Sequence, residues 1–247
     1  MSRQNGRPTR TVLITGAARR IGRAIALDMA RDGWAVAIHF RRSEAEAEVL
    51  RREIEAAGGT AALFAADLQD FAALDRLVAE CAAKLGAPQC LINNASEFLL
   101  DTVHNTDAAT WDTHLDINLK APVFLAQAMA RHLPPGTDGN IINIIDQRVW
   151  KLTPDFFSYT ISKAGLWTAT RTLAQGLAPR IRVNAIGPGP VLRSVHQTDA
   201  DFAAEQSSTL LHTGPSTEEI AAAVRFILSS PSMTGQMIAL DGGQHLT

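Results

Sequence analysis

Seven short apolar runs alternate along this chain with helix-compatible segments, and this alternation restricts the possible folds more than any other feature. The strand-like runs fall at 12–15, 35–40, 61–66, 90–93, 141–145, 182–186 and 236–240. The helical segments fall at 20–31, 43–57, 71–85, 108–132, 157–178 and 217–228. Strands that alternate with helices pair in parallel, because each helix returns the chain to the same edge of the sheet. The sequence therefore predicts an α/β fold with one doubly wound, seven-stranded parallel sheet and helices on both faces.

Length and charge suit one enzyme-sized domain. The chain has 247 residues, which is enough for a single large core. Its formal net charge of −2 argues against non-specific binding to nucleic acid. The first ten residues are polar and lack the apolar centre of a signal peptide, and no apolar stretch is long enough to span a membrane. We therefore expect a single cytoplasmic domain over 1–247, with a polar extension at 1–10 and no membrane or nucleic-acid partner.

The two cysteines, Cys81 and Cys90, have no metal-ligand spacing. A disulfide framework is typical of small secreted domains, which this chain does not resemble in size or composition. We interpret both residues as reduced thiols of the core, and we predict no metal site.

A loop with two glycines follows the first predicted strand. Gly16 allows the backbone to turn tightly, and Gly22 allows close packing at the start of the next helix. The free N–H groups at a helix N terminus attract phosphate groups. In this position the loop predicts a site for the pyrophosphate of a dinucleotide.

The end of the second predicted strand indicates which dinucleotide is bound. An enzyme that selects NAD has an acidic residue here for the ribose hydroxyls. This chain has Arg41, Arg42 and Ser43 instead, and Arg19 and Arg20 in the first loop add positive charge. Guanidinium groups form charge-assisted hydrogen bonds with phosphate, so these residues predict NADP(H). A solvated basic turn is the alternative.

Tyr159 and Lys163 form the candidate catalytic pair. Tyr159 is the only tyrosine in the chain, and four positions separate it from Lys163, which places both side chains on one face of a helix. An ammonium group beside a phenol favours the phenolate, so we expect a lowered pKa for Tyr159. Such a tyrosine can exchange a proton with a substrate that gains or loses a hydride. The alternative is two unrelated residues on a helix surface.

These motifs together resemble the short-chain dehydrogenase/reductase family, from about Thr11 to the C terminus. The matching residues follow the family's order: Gly16, Asp67, Asn93-Asn94-Ala95, Asn118, Tyr159 with Lys163, Pro188-Gly189 and Leu240-Asp241-Gly242-Gly243. The resemblance implies a Rossmann fold, oxidoreductase activity and a homotetramer packed through the 157–178 helix and the last strand. It also implies cofactor contacts at Gly16, Arg19, Arg20, Ile21, Asp67, Leu68, Asn94, Ala95, Lys163, Pro188 and Gly189.

One departure from the family concerns the substrate. The family commonly has a serine about a dozen residues before the tyrosine, and here Asp146 stands thirteen positions before Tyr159. A carboxylate suits a nitrogen that gains a proton, or a tyrosine that must stay protonated, better than an oxygen that gains negative charge. Asp146 therefore indicates a C=N substrate. A degenerate, inactive site is the alternative.

Further departures resemble the pteridine reductases, a subgroup of the family. Arg20 replaces the central loop glycine, and Ser96 and Phe98 follow Asn93-Asn94-Ala95. The resemblance implies that Arg20 contacts the cofactor phosphates and a pterin, that Ser96 hydrogen-bonds the pterin, and that Phe98 stacks over it. Taken alone, Phe98 is more typical of a core position. The divergent segment 190–215 is the expected substrate lid, and we call it the lid segment.

The resulting prediction is an NADPH-dependent reductase of a dihydropterin-type small molecule. Hydride passes to the C=N carbon, and the ring nitrogen receives a proton from Tyr159 or from ordered water nearby, with Asp146 hydrogen-bonded to Tyr159 or the substrate. By resemblance, Lys163 holds the nicotinamide ribose, and Asn118 bends its helix and holds a water that links Lys163 to solvent. Two alternatives stay open: a dehydrogenase/reductase that acts on a ketone or alcohol, and a non-catalytic NADP(H)-binding sensor or scaffold.

Overall fold

The predicted alternation of strands and helices is present in the computed structural model, which describes residues 10–247. The strands are β1 (Thr11–Ile14), β2 (Ala35–Phe40), β3 (Thr60–Ala65), β4 (Pro88–Asn93), β5 (Gly139–Ile144), β6 (Ile181–Pro188) and β7 (Met237–Leu240). The helices are α1 (Arg20–Arg31), α2 (Glu44–Ala56), α3 (Phe71–Leu85), α4 (Ala108–Leu115), α5 (Ala121–His132), α6 (Phe157–Leu177), α7 (Asp199–Ser207) and α8 (Thr217–Leu228). The extension predicted at 1–10 lies outside the described residues except for Arg10.

All seven strands pair in parallel, in the order β3-β2-β1-β4-β5-β6-β7. The chain builds outward from β1 to β3 and then returns to add β4 on the other side of β1. This reversal creates a crevice beyond the carboxyl ends of β1 and β4, where open α/β sheets bind their ligands. The predicted Rossmann fold is confirmed, and the crevice fixes where the site must lie.

The core lies in two layers, one on each face of the sheet. Val12 and Ile14 of β1 pack in the layer that contains α1, α2 and α8, while Leu13 packs in the layer that contains α3 and α5. This division follows from the two-residue repeat of a strand. Because both faces are covered, the central strands are buried along their whole length, which explains their continuous apolar sequences.

Two elements differ from what helical periodicity alone predicts. The helix expected over 108–132 is interrupted by a π-helical turn at Asp116–Lys120, which separates α4 from α5. Helix α7 was not predicted, and it lies inside the lid segment. Its N terminus carries a capping box between Thr198 and Asp201, but none of its residues is buried. A helix without a buried apolar stripe leaves no periodic signal in the sequence.

The described residues also show the state of the cysteines and whether membrane-spanning helices or metal-ligand clusters are present among them. Cys81 and Cys90 are free and buried, as predicted, and burial raises the pKa of each thiol to about 12. None of the helices within 10–247 has the length and apolar character needed to cross a membrane. Over the same range, no cluster of three or more His, Cys, Asp or Glu side chains is arranged to hold a metal ion.

Candidate active site

A cavity of about 1040 Å³ opens at the carboxyl ends of the strands, along the crevice between β1 and β4. It is lined by every predicted site residue except Asn118: Gly16, Arg19, Arg20, Ile21, Arg41, Arg42, Ser43, Asp67, Leu68, Asn94, Ala95, Ser96, Phe98, Asp146, Tyr159, Lys163, Pro188 and Gly189. Its volume is at the upper end of the range for ligand pockets, as a site for a dinucleotide and a small substrate requires. The fold thus brings together residues that are up to 173 positions apart, from Gly16 to Gly189.

The glycine loop is fixed tightly beneath this cavity. Gly16 has a φ of +62°, which favours glycine, and its N–H donates to Nδ1 of His39 at 3.1 Å. Burial lowers the pKa of His39 to about 4, so its ring is neutral and Nδ1 can accept. The Asn94 side chain donates to the carbonyls of Thr15 and Gly16 at 2.9 and 3.1 Å. No sequence motif marks His39, and the support of the loop by Asn94 was not predicted.

We expect Gly22→Ala to destabilise the protein by about 1–3 kcal/mol. A Cβ at Gly22 would lie 2.4 Å from the carbonyl oxygen of Gly16, so the loop would have to move. Thermal unfolding measures the effect. Gly176→Ala is the matched control, because a Cβ at Gly176 in α6 meets nothing within 4 Å. We expect it to be neutral or stabilising. Equal losses in both variants would contradict the tight loop.

The basic end of the cavity fits a 2′-phosphate. Arg41 and Arg42 follow β2 directly, and Ser43 precedes α2 with a hydroxyl that makes no capping hydrogen bond. Charged nitrogens and a free hydroxyl at a helix start are the groups that bind phosphate. Arg41 also forms an ion pair with Glu97, which follows β4, with Nη2 and Oε1 2.8 Å apart. No sequence motif indicates this contact, because it joins two separate loops.

Arg20 contacts the lid segment. Its Nη1 and Nη2 donate to the carbonyls of Arg193 and Leu192, each at 3.0 Å. The backbone of Arg20 has a φ of +53°, the left-handed conformation that suits the glycine usual at this position in the family. The predicted contacts of Arg20 with a cofactor and a pterin stay a prediction. Nη1 of the neighbouring Arg19 lies 3.6 Å from Oε1 of Glu46 on α2.

Tyr159 and Lys163 lie side by side at the cavity floor. The Tyr159 hydroxyl donates to Oδ2 of Asp146 at 2.9 Å, and Nζ of Lys163 donates to the carbonyl of Ile144 at 2.9 Å. The side chains of Tyr159 and Lys163 are almost completely buried. This burial excludes the alternative of two unrelated residues on a helix surface.

The pKa of Tyr159 shifts in the direction opposite to the prediction. Burial and the negative charge of Asp146 raise the pKa of Tyr159 well above its ordinary value. The expected lowering by Lys163 is therefore wrong, because the sequence does not show how deeply the phenol is buried. Burial also raises the pKa of Asp146, and it lowers the pKa of Lys163 to about 8. Tyr159 is consequently a protonated donor that can give a proton to a substrate.

Asn118 lies behind the cavity, on the π-helical turn. Its Oδ1 accepts from the Glu97 N–H at 2.9 Å and from the Ser96 hydroxyl at 3.1 Å. Its Nδ2 donates to the Glu97 carbonyl at 3.0 Å and to the Ser162 hydroxyl at 3.1 Å. The irregular helix expected at Asn118 is present. The amide connects the loop after β4 with α6, while a water relay through Asn118 stays a prediction.

Aromatic rings form the wall above Tyr159. Phe98 stacks on Phe156 with centroids 4.1 Å apart and an angle of 9°, and it meets Tyr159 edge-on at 4.7 Å. Nε2 of His196, from the lid segment, lies 3.0 Å from the Phe98 carbonyl. Because Phe156 covers one face of Phe98, a substrate ring could stack only on the other face. Phe156 and His196 were not predicted, because they belong to no sequence motif.

A buried polar chain anchors the start of α6. The Ser158 hydroxyl donates to Oδ2 of Asp101 at 2.5 Å and lies 2.6 Å from Nδ1 of His114. Since Nε2 of His114 accepts from the Leu99 N–H at 3.0 Å, Nδ1 carries the proton and donates to Ser158. Buried polar groups satisfied in this way rigidify their surroundings. The chain thus fixes Ser158 and, through it, the adjacent Tyr159.

Curated proteins and a family model match nearly the whole chain. The family model described as enoyl-(acyl carrier protein) reductase matches residues 16–245. The 3-oxoacyl-[acyl-carrier-protein] reductase FabG of Staphylococcus aureus is 31% identical over 244 residues, which are 96% of this chain and 99% of that protein. A probable 2,4-dienoyl-CoA reductase of Bacillus subtilis is 32% identical over 247 residues, or 96% of this chain and 97% of that one.

Solved structures resemble the chain more closely. FolM alternative dihydrofolate reductase 1 from Brucella suis, crystallised in complex with NADP, is 51% identical with a TM-score of 0.94, covering 96% of both chains. The protein of the same name from Brucella canis, also complexed with NADP, is 50% identical with a TM-score of 0.94, covering 97% of this chain and 95% of that one. Family model, relatives, fold and site residues agree, and the chain belongs to the short-chain dehydrogenase/reductase family of NAD(P)(H)-dependent oxidoreductases.

Proposed function

We propose that this chain is an NADPH-dependent reductase that transfers hydride to a C=N bond of a dihydropterin-type ring. The observation that carries the proposal is the 2.9 Å hydrogen bond between Tyr159 and Asp146. A carboxylate repels an oxygen that gains negative charge during ketone reduction, but it stabilises a nitrogen that gains a proton. The likeness to two proteins named dihydrofolate reductase supports the same substrate class, since dihydrofolate contains a dihydropterin ring with a C=N bond.

NADP(H) is the cofactor, and it supplies the hydride when bound. Arg41, Arg42 and Ser43 would hold the 2′-phosphate, and the loop from Gly16 to Ile21 would hold the pyrophosphate. The remaining cofactor contacts follow the family pattern: Asp67 and Leu68 for the adenine, Asn94 and Ala95 for its ribose, and Lys163, Pro188 and Gly189 for the nicotinamide end.

The protein's own groups orient the substrate and move the proton. The substrate ring stacks on the free face of Phe98, while Ser96 and Arg20 hydrogen-bond its polar rim. Tyr159 gives its proton to the ring nitrogen as the carbon receives hydride. Asp146 stabilises the N–H that forms, and the Lys163 cation stabilises the resulting phenolate.

The pKa of Lys163 gives the reaction a pH limit. Because burial lowers this pKa to about 8, the cation is present below that pH and is lost above it. We therefore expect kcat/KM for a dihydropterin to fall as the pH rises through about 8, with NADPH at saturation. Steady-state rates between about pH 6 and pH 10 measure this. A rate that stays constant to pH 10 would show that the Lys163 charge has no part in the reaction.

The substrate class is tested by NADPH oxidation on a panel of 7,8-dihydrobiopterin, dihydromonapterin, dihydrofolate and several simple ketones. The proposal predicts turnover on the dihydropterins and little on the ketones. Turnover on ketones alone would support the second candidate, an ordinary carbonyl reductase. Tight NADPH binding without turnover on any compound would support a sensor or scaffold. The presence of Tyr159, Lys163 and Asn118 argues against this alternative, because a pure binding protein needs no proton relay.

We infer a homotetramer that packs through α6 and β7, as the family commonly does. Ile161 on α6 and Leu246 near the C terminus are exposed apolar side chains, which suits a buried contact of this kind. A cytoplasmic location stays a prediction from the sequence.

A further inference from the structure

The ion pair of Arg41 with Glu97 spans the cavity at its basic end. Arg41 follows β2 and Glu97 follows β4, and these two strands lie on either side of β1. The pair therefore crosses the carboxyl end of β1, where the loop of Gly16 forms the cavity floor. Arg41 is at the same time one of the residues expected to bind the 2′-phosphate. The Arg41 guanidinium thus binds the Glu97 carboxylate and also faces the expected site of the 2′-phosphate.

We propose that Glu97 moderates the preference for NADP(H) by competing with the 2′-phosphate for Arg41. Glu97 holds Arg41 when no 2′-phosphate is present, and it loses Arg41 to the phosphate when NADP(H) binds. NAD(H) carries a hydroxyl at this position, so it leaves the pair of Arg41 and Glu97 intact. The inference rests on the cofactor part of the proposed function and is independent of the substrate.

The exposure and geometry of the pair make this exchange feasible. The side chains of Arg41 and Glu97 are 33% and 31% exposed, and a single contact joins them. Ion pairs exposed to this degree contribute little, because water and salt screen them. A phosphate monoester carries nearly two negative charges and accepts two parallel N–H bonds from one guanidinium. The phosphate is therefore the stronger partner for Arg41.

The backbone of Glu97 is fixed, so the exchange needs only side-chain movement. Asn118 accepts from the Glu97 N–H and donates to the Glu97 carbonyl. The loop after β4, which also carries Ser96 and Phe98, therefore stays in place when the Glu97 carboxylate is released. The exchange of partners at Arg41 therefore does not displace Ser96 and Phe98, the expected substrate contacts.

Glu97→Gln tests the proposal through binding alone. We expect the Kd of NADPH to fall by roughly two- to fivefold, the range that a weak ion pair allows, while the Kd of NADH stays within about twofold. Fluorescence titration of each nucleotide in the absence of substrate measures both values. Glu55→Gln is the matched control, because it also removes a negative charge paired with an arginine, here Arg51 of α2, which does not line the cavity. We expect it to leave the ratio of the two Kd values unchanged.

A double variant separates competition from simple repulsion. In an Arg41→Ala background, the gain from Glu97→Gln is expected to disappear, because the shared group is gone. Unchanged or weaker NADPH binding in Glu97→Gln, a gain that persists without Arg41, or the same gain in Glu55→Gln would each overturn the proposal. A failure of the substrate proposal is recognised separately, as normal NADPH binding by the native protein with no dihydropterin turnover.

Discussion

Replacing Tyr159 by phenylalanine is expected to lower dihydropterin turnover by about 10²- to 10⁴-fold, the usual contribution of a positioned proton donor. The variant loses only the hydroxyl that donates to Asp146. The ring keeps its edge contact with Phe98, and Lys163 keeps its hydrogen bond to the Ile144 carbonyl. We therefore expect the NADPH affinity to stay within about twofold of the native value, in line with a change that removes no cofactor contact.

The measurement is kcat with a saturating dihydropterin, together with an NADPH titration of the same preparation. Thermal unfolding serves as the control for folding, because removing the hydroxyl leaves the buried Asp146 carboxylate without this donor. Native turnover by Tyr159→Phe would remove the tyrosine from the mechanism. Loss of NADPH binding would instead assign it a structural role.

The second large effect is expected at Asp146. Asp146→Asn keeps the size of the side chain and an oxygen that accepts from Tyr159, but it removes the negative charge. If that charge stabilises a nitrogen that gains a proton, kcat on a dihydropterin falls by about 10²-fold, as for the loss of one transition-state contact. Asp146→Ser, which restores the residue common in the family, is expected to raise the ratio of ketone to dihydropterin turnover.

These two Asp146 variants distinguish the C=N mechanism from carbonyl reduction. Steady-state kinetics on one dihydropterin and one reactive ketone supply the ratio for the native protein and both variants. A native ratio in Asp146→Ser, or undiminished dihydropterin turnover in Asp146→Asn, would show that the carboxylate does not select the substrate.

The sequence predicted the parts of the fold that depend on local pattern. The seven strands and most helices follow from apolar runs and helical periodicity, so their positions were predicted to within a few residues. The π-helical turn at Asp116–Lys120 lies within one continuous helical pattern, and the interruption left no periodic signal. Helix α7 buries none of its residues, so it too was invisible to periodicity despite its capping box.

The site residues, like the elements of the fold, were predicted only where the sequence carries a local pattern. Residues that belong to a motif, such as Gly16, Asn118 and Tyr159, were found because their order and spacing mark them. Residues that join through tertiary contacts were missed, as for Phe156 against Phe98 and His196 against the Phe98 carbonyl. The direction of the Tyr159 pKa shift was wrong for the same reason: it depends on burial, which exists only in the folded chain.

In the proposed reaction, hydride from NADPH arrives at a ring carbon of a C=N bond. The most direct measurement uses NADPH carrying deuterium at both C4 positions, with a dihydropterin as substrate and mass spectrometry and NMR of the product. We expect one deuterium on the carbon of the reduced C=N bond and a solvent-derived proton on its nitrogen. Hydride transfer to a C=N bond would be contradicted if the pterin were recovered without deuterium while a ketone was reduced to a deuterated alcohol under the same conditions.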